Sequence, residues 1–255
     1  MQVASVALGY VIGLAMGLLG GGGSILTVPI FVYLLGFGAK ESIAMSLAVV
    51  GVTSLVGAVG HWRDGHVNAR VAVVFGAVAM AGTFVGTSLA TRLTGDEQLA
   101  IFATVMLVAA GFMLRRGGRE SSRSPTDGAV VRVPRGSLPL AGGQGLVVGV
   151  LTGLVGVGGG FLIVPALVWG GLAMCEAVGT SLLIITMNCA IGFYGHVGGV
   201  EIAWPAVAML TVGTLPGIAT GTYAMHLVPQ DMLRRGFVAL LVLVAIFMLY
   251  QHLPA

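Results

Sequence analysis

Polar residues come in short clusters along this chain, and long apolar tracts fill the space between them. The first tract runs from about Val3 to Phe37 and ends before the pair Lys40-Glu41. The second, from about Ile43 to Gly60, is closed by HWRDGH at 61–66. The third spans about Val71 to Ala90, ahead of Arg92, Asp96 and Glu97, and the fourth about Leu99 to Leu114. Beyond residue 137 the pattern returns. A tract from about Leu138 to Leu172 is followed by the stretch ending AIGFYGHVGGVEI (190–202), then by about Trp204–Tyr223 and about Phe237–Tyr250. Most of these tracts have the length of a helix crossing a hydrocarbon core about 30 Å thick. The tracts opening each half are too long: a straight helix through either would measure about 50 Å at 1.5 Å per residue. Each must be strongly tilted, broken, or folded back as a hairpin.

Both long tracts carry the same glycine-rich interruption. Residues 13–29 read GLAMGLLGGGGSILTVP and residues 149–165 read GVLTGLVGVGGGFLIVP, identical at nine of seventeen positions at an offset of 136. Each glycine costs a helix interior about 1 kcal/mol against alanine, so a continuous helix through Gly20–Ser24 is unfavourable. In lipid, a broken backbone survives only where protein or a water-filled cavity covers it. Two such breaks in matching places point to a binding site between two halves.

The likeness continues past the break. After a one-residue deletion the offset becomes 135, and Ser46 falls on Ser181, Gly57 on Gly192, Gly60 on Gly195 and His61 on His196. Further along, Gly82 falls on Gly217, Gly86 on Gly221 and Phe102 on Phe237. We therefore expect an all-α polytopic membrane protein of two homologous repeats, residues 1–114 and 138–255. Each repeat has about four hydrophobic segments, the first broken by glycine and re-entrant or discontinuous. The basic charge tests their orientation. If each glycine-rich tract enters and leaves on one side, the halves are oppositely oriented. Arg63, Arg70, Arg234, Arg235 and the six linker arginines then share the cytosolic side, leaving only Lys40 and Arg92 outside, ten against two. Eight straight crossings would give eight against four. The positive-inside rule favours the inverted arrangement.

Composition agrees: 57% of the residues are hydrophobic and 8% charged, against about 25% charged in a soluble domain. Residues 115–137 stand apart, with six arginines among Ser, Pro and Gly. They read as a flexible, basic cytoplasmic linker, not as a nucleic-acid tail. The two cysteines are too few for a disulfide framework. No Lys or Arg precedes the first tract, so it lacks the start of a cleaved signal peptide. The absence of GxxxxGK[ST] rules out a nucleotide-cradling loop, no alternating strand pattern supports a dinucleotide fold, and no His/Cys cluster has metal-ligand spacing. No cofactor is expected.

The candidate chemistry is anion binding. A helix that starts after a break points unpaired N–H groups and about half a positive charge into the gap. Candidate substrate-binding residues are Gly20, Gly21, Gly22, Gly23 and Ser24 in the first break, and Gly156, Gly158, Gly159 and Gly160 in the second. Ser46, Thr53 and Ser54 in one half, and Thr180, Ser181 and Asn188 in the other, add neutral hydrogen-bonding groups. Gly13, Gly17, Gly149 and Gly153 read instead as helix–helix packing residues of the small-xxx-small kind. For the hydroxyls the alternative is bonding to the preceding turn. His61 and His196, each following a glycine at a segment end, are read either as proton-coupling or substrate-contacting groups or as interfacial residues at helix ends. Arg63, Asp64 and Glu201 read as solvated charges, and Trp62, Trp169, Tyr194 and Trp204 as interface anchors.

The duplicated G-x-x-x-G-x-x-G-x-G-G…V-P signature, with the Gly-His pairs at 60–61 and 195–196, resembles the sulfite exporter TauE/SafE family of membrane permeases. The likeness covers nearly the whole chain outside the linker. It implies a secondary carrier of sulfite, sulfonates or related organosulfur anions in the bacterial inner membrane, with the lipid bilayer and the anion as its partners and a homodimer left open. Ser24 faces Gly160 across the repeat, so the two half-sites differ. A passive anion channel and an intramembrane enzyme with Ser24 as nucleophile are the alternatives; the chain is read as a transporter and not as an enzyme.

Overall fold

A computed structural model describes residues 2–116, 138–155, 159–172, 174–225, 227–228 and 230–252. Residues 117–137, most of the expected linker, lie outside the described residues, as do Gly156 and Gly158 of the second glycine cluster. Among the described residues the secondary structure is wholly helical. The first half holds α1 (Gln2–Leu19), α2 (Ser24–Pro29), α3 (Ala39–Arg63), α4 (Ala69–Ala90) and α5 (Gly95–Arg116). The second holds α6 (Leu138–Val155), α7 (Gly160–Trp169), α8 (Met174–Val197), α9 (Trp204–Met225) and α10 (Gln230–His252). Three of these, Ala39–Arg63, Ala69–Ala90 and Cys175–Val197, are long and apolar enough to cross a membrane. Val52, Leu55, Val56 and Val59 form a stripe on α3 that is nearly half exposed, as an apolar helix facing lipid requires.

Local chemistry sets the helix ends. Asn68 caps α4 by accepting at Oδ1 from the Val71 amide, 3.2 Å away. Thr94 and Glu97 close a reciprocal capping box at the start of α5: the Thr94 amide donates to Glu97 Oε2 at 2.7 Å and the Glu97 amide to Thr94 Oγ1 at 3.3 Å. Pro29 ends α2, and the chain continues through a π-helical turn, Ile30–Leu34, in which the Leu35 amide reaches Ile30 O at 3.0 Å.

The first tract is broken where the glycines stand. α1 stops at Leu19, and Gly20 takes φ +70°, a left-handed conformation that favours glycine. Its amide still bonds Met16 O at 2.8 Å. The chain then doubles back, because a Cβ placed on Gly23 would stand 2.6 Å from Met16 N. Seven residues along a straight helix would separate the two by about 10 Å. In the second half α6 stops at Val155 and α7 starts at Gly160, behind Gly159 at φ +69°.

The two halves interlock. α1 packs along α9 and α6 along α4, each seam lined by small residues four apart. A Cβ on Gly13 would fall 2.8 Å from Thr214 Cα, and one on Gly217 would fall 3.0 Å from Gly13 Cα. In the other seam, a Cβ on Gly149 would fall 2.8 Å from Ala79 Cα, and one on Gly153 would fall 2.8 Å from Thr87 N. Gly13, Gly17, Gly149 and Gly153 are therefore packing residues. Both seams run parallel: Gly9, Gly13 and Gly17 meet α9 in ascending order, as Gly145, Gly149 and Gly153 meet α4. The central pair α3 and α8 instead runs antiparallel, with Gly57 beside Leu182, Gly51 beside Cys189 and Leu47 beside Gly192.

Candidate functional site

The two glycine breaks meet. A Cβ on Gly21 would lie 2.6 Å from Gly160 Cα, and one on Gly160 would lie 2.6 Å from Gly21 Cα. No side chain fits between these two backbones, which accounts for a glycine on each side. The contact is level with Ile185, whose Cδ1 would stand 2.6 Å from a Cβ on Gly160. Eleven residues precede Ile185 in α8 and twelve follow it, so the breaks meet at the middle of that helix.

One stripe of α8 faces the junction. Val178 packs on Gly20, 2.9 Å from where its Cβ would be. Ser181 Oγ lies 3.1 Å from Gly20 O and 2.7 Å from Val178 O. Ile185 faces Gly160, and Asn188 is the next residue on the stripe, since helical positions three and four apart share a face. Asn188 is fully buried, and neither its Oδ1 nor its Nδ2 has a hydrogen-bond partner.

The other predicted residues divide by what their polar atoms already do. Ser24, fully buried, donates to Gly21 O at 2.6 Å and so stiffens its own turn. Ser46 donates to Ile43 O at 2.8 Å. Thr53 Oγ1 lies 2.7 Å from Val49 O and 2.6 Å from Thr214 Oγ1, a hydroxyl pair that joins α3 to α9. Thr180 Oγ1 accepts from the Asn68 amide at 3.0 Å and so holds the loop before α4. Ser54 Oγ, like the Asn188 amide, is buried and unpartnered. Gly22 and Gly23 complete the turn of the first break. Thr214, Asn68 and Thr83, whose Oγ1 lies 3.2 Å from Gly149 O across the α4–α6 seam, were not singled out from the sequence. Asn68 could have been, as an N-cap residue before an apolar run. Thr214 gave no signal, because its counterpart across the repeat is Ala79.

The two histidines, matched in sequence, differ in surroundings. His61 is fully buried and pressed on α8: a Cβ on Gly179 would lie 2.9 Å from its own Cβ. Its ring centroid is 6.3 Å from that of His66. His61 therefore stands in the last turn of α3 with its ring buried between helices. His196 is partly buried, with Nδ1 2.9 Å from Gly192 O and a buried Nε2 that has no hydrogen-bond partner. Arg63, Asp64 and Glu201 are exposed, as are Trp62, Tyr194 and Trp204, while the Trp169 side chain lies outside what is described. No Lys, Arg, Asp or Glu is buried among the described residues. The electrostatics of the junction are therefore those of backbone dipoles and neutral side chains. Such a site suits a polar solute held by N–H and O–H donors, not by ion pairing.

Comparison with known proteins gives a consistent result. The family model described as Sulfite exporter TauE/SafE matches residues 5–248. A probable membrane transporter protein of Xylella fastidiosa (strain Temecula1) is 31% identical over 259 residues, covering 98% of this chain and 95% of its own. The probable membrane transporter protein YdhB of Bacillus subtilis (strain 168) is 24% identical, covering 88% of this chain and 91% of its own. A probable membrane transporter protein of Haemophilus influenzae is 25% identical, covering 94% and 95%. No solved structure matches the chain.

Proposed function

Because this chain belongs to the sulfite exporter TauE/SafE family, a family of multi-pass membrane transporters and not of enzymes, we propose that it is a secondary carrier of small sulfur-containing anions. The anion sits where the two glycine breaks meet. The observation that carries this is the approach of Gly21 to Gly160 at the middle of α8, with the buried, unpartnered amide of Asn188 on the same stripe of that helix. A solute reaching that point finds backbone bare of side chains, neutral donors, and no buried charge to trap it. In lipid, a turn of this kind needs a cavity or a packed surface to cover it, and here each break covers the other.

The carrier is built from inverted repeats, each with a re-entrant hairpin and three crossings. The reading rests on helix direction. α1 runs with α9, and α6 runs with α4, while α3 opposes α8. α4 runs with α8 and α9 runs with α3, so α4 reverses α3 and α9 reverses α8. Following these senses around the bundle leaves α1 opposed to α6, as two inverted halves require. The arginine distribution agrees with that orientation, with the linker inside and both termini outside the bacterial inner membrane. Access alternates as one bundle rocks against the other around the junction, and protons couple to transport through His61 and His196.

Flux into proteoliposomes tests the function. Saturable uptake of sulfite or an alkanesulfonate, with counterflow, is expected; ohmic current without saturation indicates a channel. Gly21→Leu should abolish flux, and unaltered flux in that variant removes the junction from the mechanism. Protease access to tags on intact cells tests the topology: both termini should be cleaved, and a protected C-terminus overturns the inverted arrangement.

A further inference from the structure

Asn188 and Thr53 occupy equivalent places in the two halves, yet only one of them is satisfied. Thr53 meets the hydroxyl of Thr214 at 2.6 Å. Offset by 135, the counterpart of Thr214 is Ala79 in α4, which offers a methyl group. α4 runs beside Asn188: a Cβ on Gly76 would lie 3.1 Å from Met187 Sδ, and one on Gly192 would lie 3.8 Å from Thr83 Cγ2, which brackets Ala79 against this turn of α8. The Asn188 amide is consequently buried with both polar atoms open. An open buried amide costs about 1–3 kcal/mol, and the share borne by its N–H donors is removed when a ligand supplies an acceptor.

Resting on the carrier reading above, we infer that Asn188 is the specificity-determining residue, and that it selects a tetrahedral head carrying one negative charge over the same head carrying two. The amide nitrogen supplies two N–H donors to the head. Nothing else at the junction offers more than a partial charge, since no Lys or Arg is buried among the described residues. The cost of taking an ion out of water grows with the square of its charge, and it is repaid only by strong pairing. Doubling the charge on one head roughly quadruples that cost, while the attraction of fixed neutral donors only doubles. Sulfonate heads therefore enter, and sulfate, equally tetrahedral and nearly equal in size, is excluded; the singly charged, pyramidal bisulfite follows the same charge argument. Binding is also one-sided: the head engages the half that holds Asn188, and Thr53 stays paired with Thr214.

The test is binding and flux of methanesulfonate against sulfate, in the intact protein and in two variants. The intact protein should take methanesulfonate at least about tenfold better than sulfate. Asn188→Ala should weaken methanesulfonate by about 10- to 100-fold, the loss expected for hydrogen bonds to a charged group. Ala79→Thr gives the amide the internal partner that Thr53 has, at a fully buried position of the α4–α6 seam, so thermal unfolding is read beside binding to confirm that the protein is folded. In folded protein it should weaken methanesulfonate in the same direction. Equal handling of sulfate and methanesulfonate overturns the selectivity, and full methanesulfonate affinity in both variants overturns the role of Asn188. Absence of flux for every sulfur anion in the intact protein overturns the carrier reading and with it this inference, an outcome distinct from the other two.

Discussion

The seams between the halves and the tips where the halves meet use the same amino acid for opposite ends. Along α1–α9 and α4–α6, glycines at every fourth position draw whole helices together, and the arrangement is the same in both seams. At the tips, Gly21 and Gly160 draw two turns together, and the residues around them differ from one half to the other. Ser24 faces Gly160 across the repeat, and Thr53 is paired while Asn188 is not. Repetition maintains the scaffold. Departure from repetition marks where we propose the solute binds, since a solute with two unlike ends needs two unlike half-sites.

Substitution in a seam should produce the largest effect and separate the two roles most sharply. A Cβ on Gly13 would fall 2.8 Å from both Thr214 Cα and its carbonyl carbon. These are backbone atoms of a packed helix that cannot swing aside. Gly13→Leu should destabilise by more than about 4 kcal/mol, the range reached by overpacking a core, so that no monodisperse protein is recovered after detergent extraction. Recovery of folded, active protein would show that the seam is loose. A tip should respond differently. Gly160→Val places a Cβ 2.6 Å from Gly21 Cα and 2.6 Å from Ile185 Cδ1, of which only the isoleucine can give way. The breaks are pushed apart, at a cost of about 1–3 kcal/mol. Folded protein should be recovered while flux falls at least about tenfold. Equal loss of fold in both variants would erase the distinction between seam and tip.

Much of this was legible in the residues. The breaks were visible because runs of glycine are incompatible with a continuous helix, and the duplication because nine of seventeen positions recur. The packing glycines were visible from their spacing. What could not be read was which polar side chain is already occupied. Ser24, Ser46, Thr53, Ser54, Thr180, Ser181 and Asn188 look alike as neutral residues in apolar tracts. Their status depends on the residue opposite, on a helix more than a hundred positions away in the case of Thr53 and Thr214. The burial of His61 was hidden for the same reason: Gly179, not anything near residue 61, makes room for its ring.

The smallest effect belongs to the pair that the second half lacks. Thr53 and Thr214 share one hydrogen bond between buried hydroxyls, and each also lies within bonding distance of a carbonyl in its own helix, Val49 O at 2.7 Å and Thr211 O at 2.8 Å. Removing one hydroxyl therefore leaves the other with its local acceptor, and the penalty of a stranded group is avoided. Thr53→Val and Thr214→Val should each cost about 1 kcal/mol, the net worth of a neutral hydrogen bond. The double variant should cost less than their sum, since the same contact is lost in both; a thermal-unfolding cycle measures the coupling. Methanesulfonate affinity should move less than about threefold in either variant. If Thr53→Val weakened the anion as strongly as Asn188→Ala, the halves would contribute equally at this level, and the difference between them would lie only in the serine of the first break.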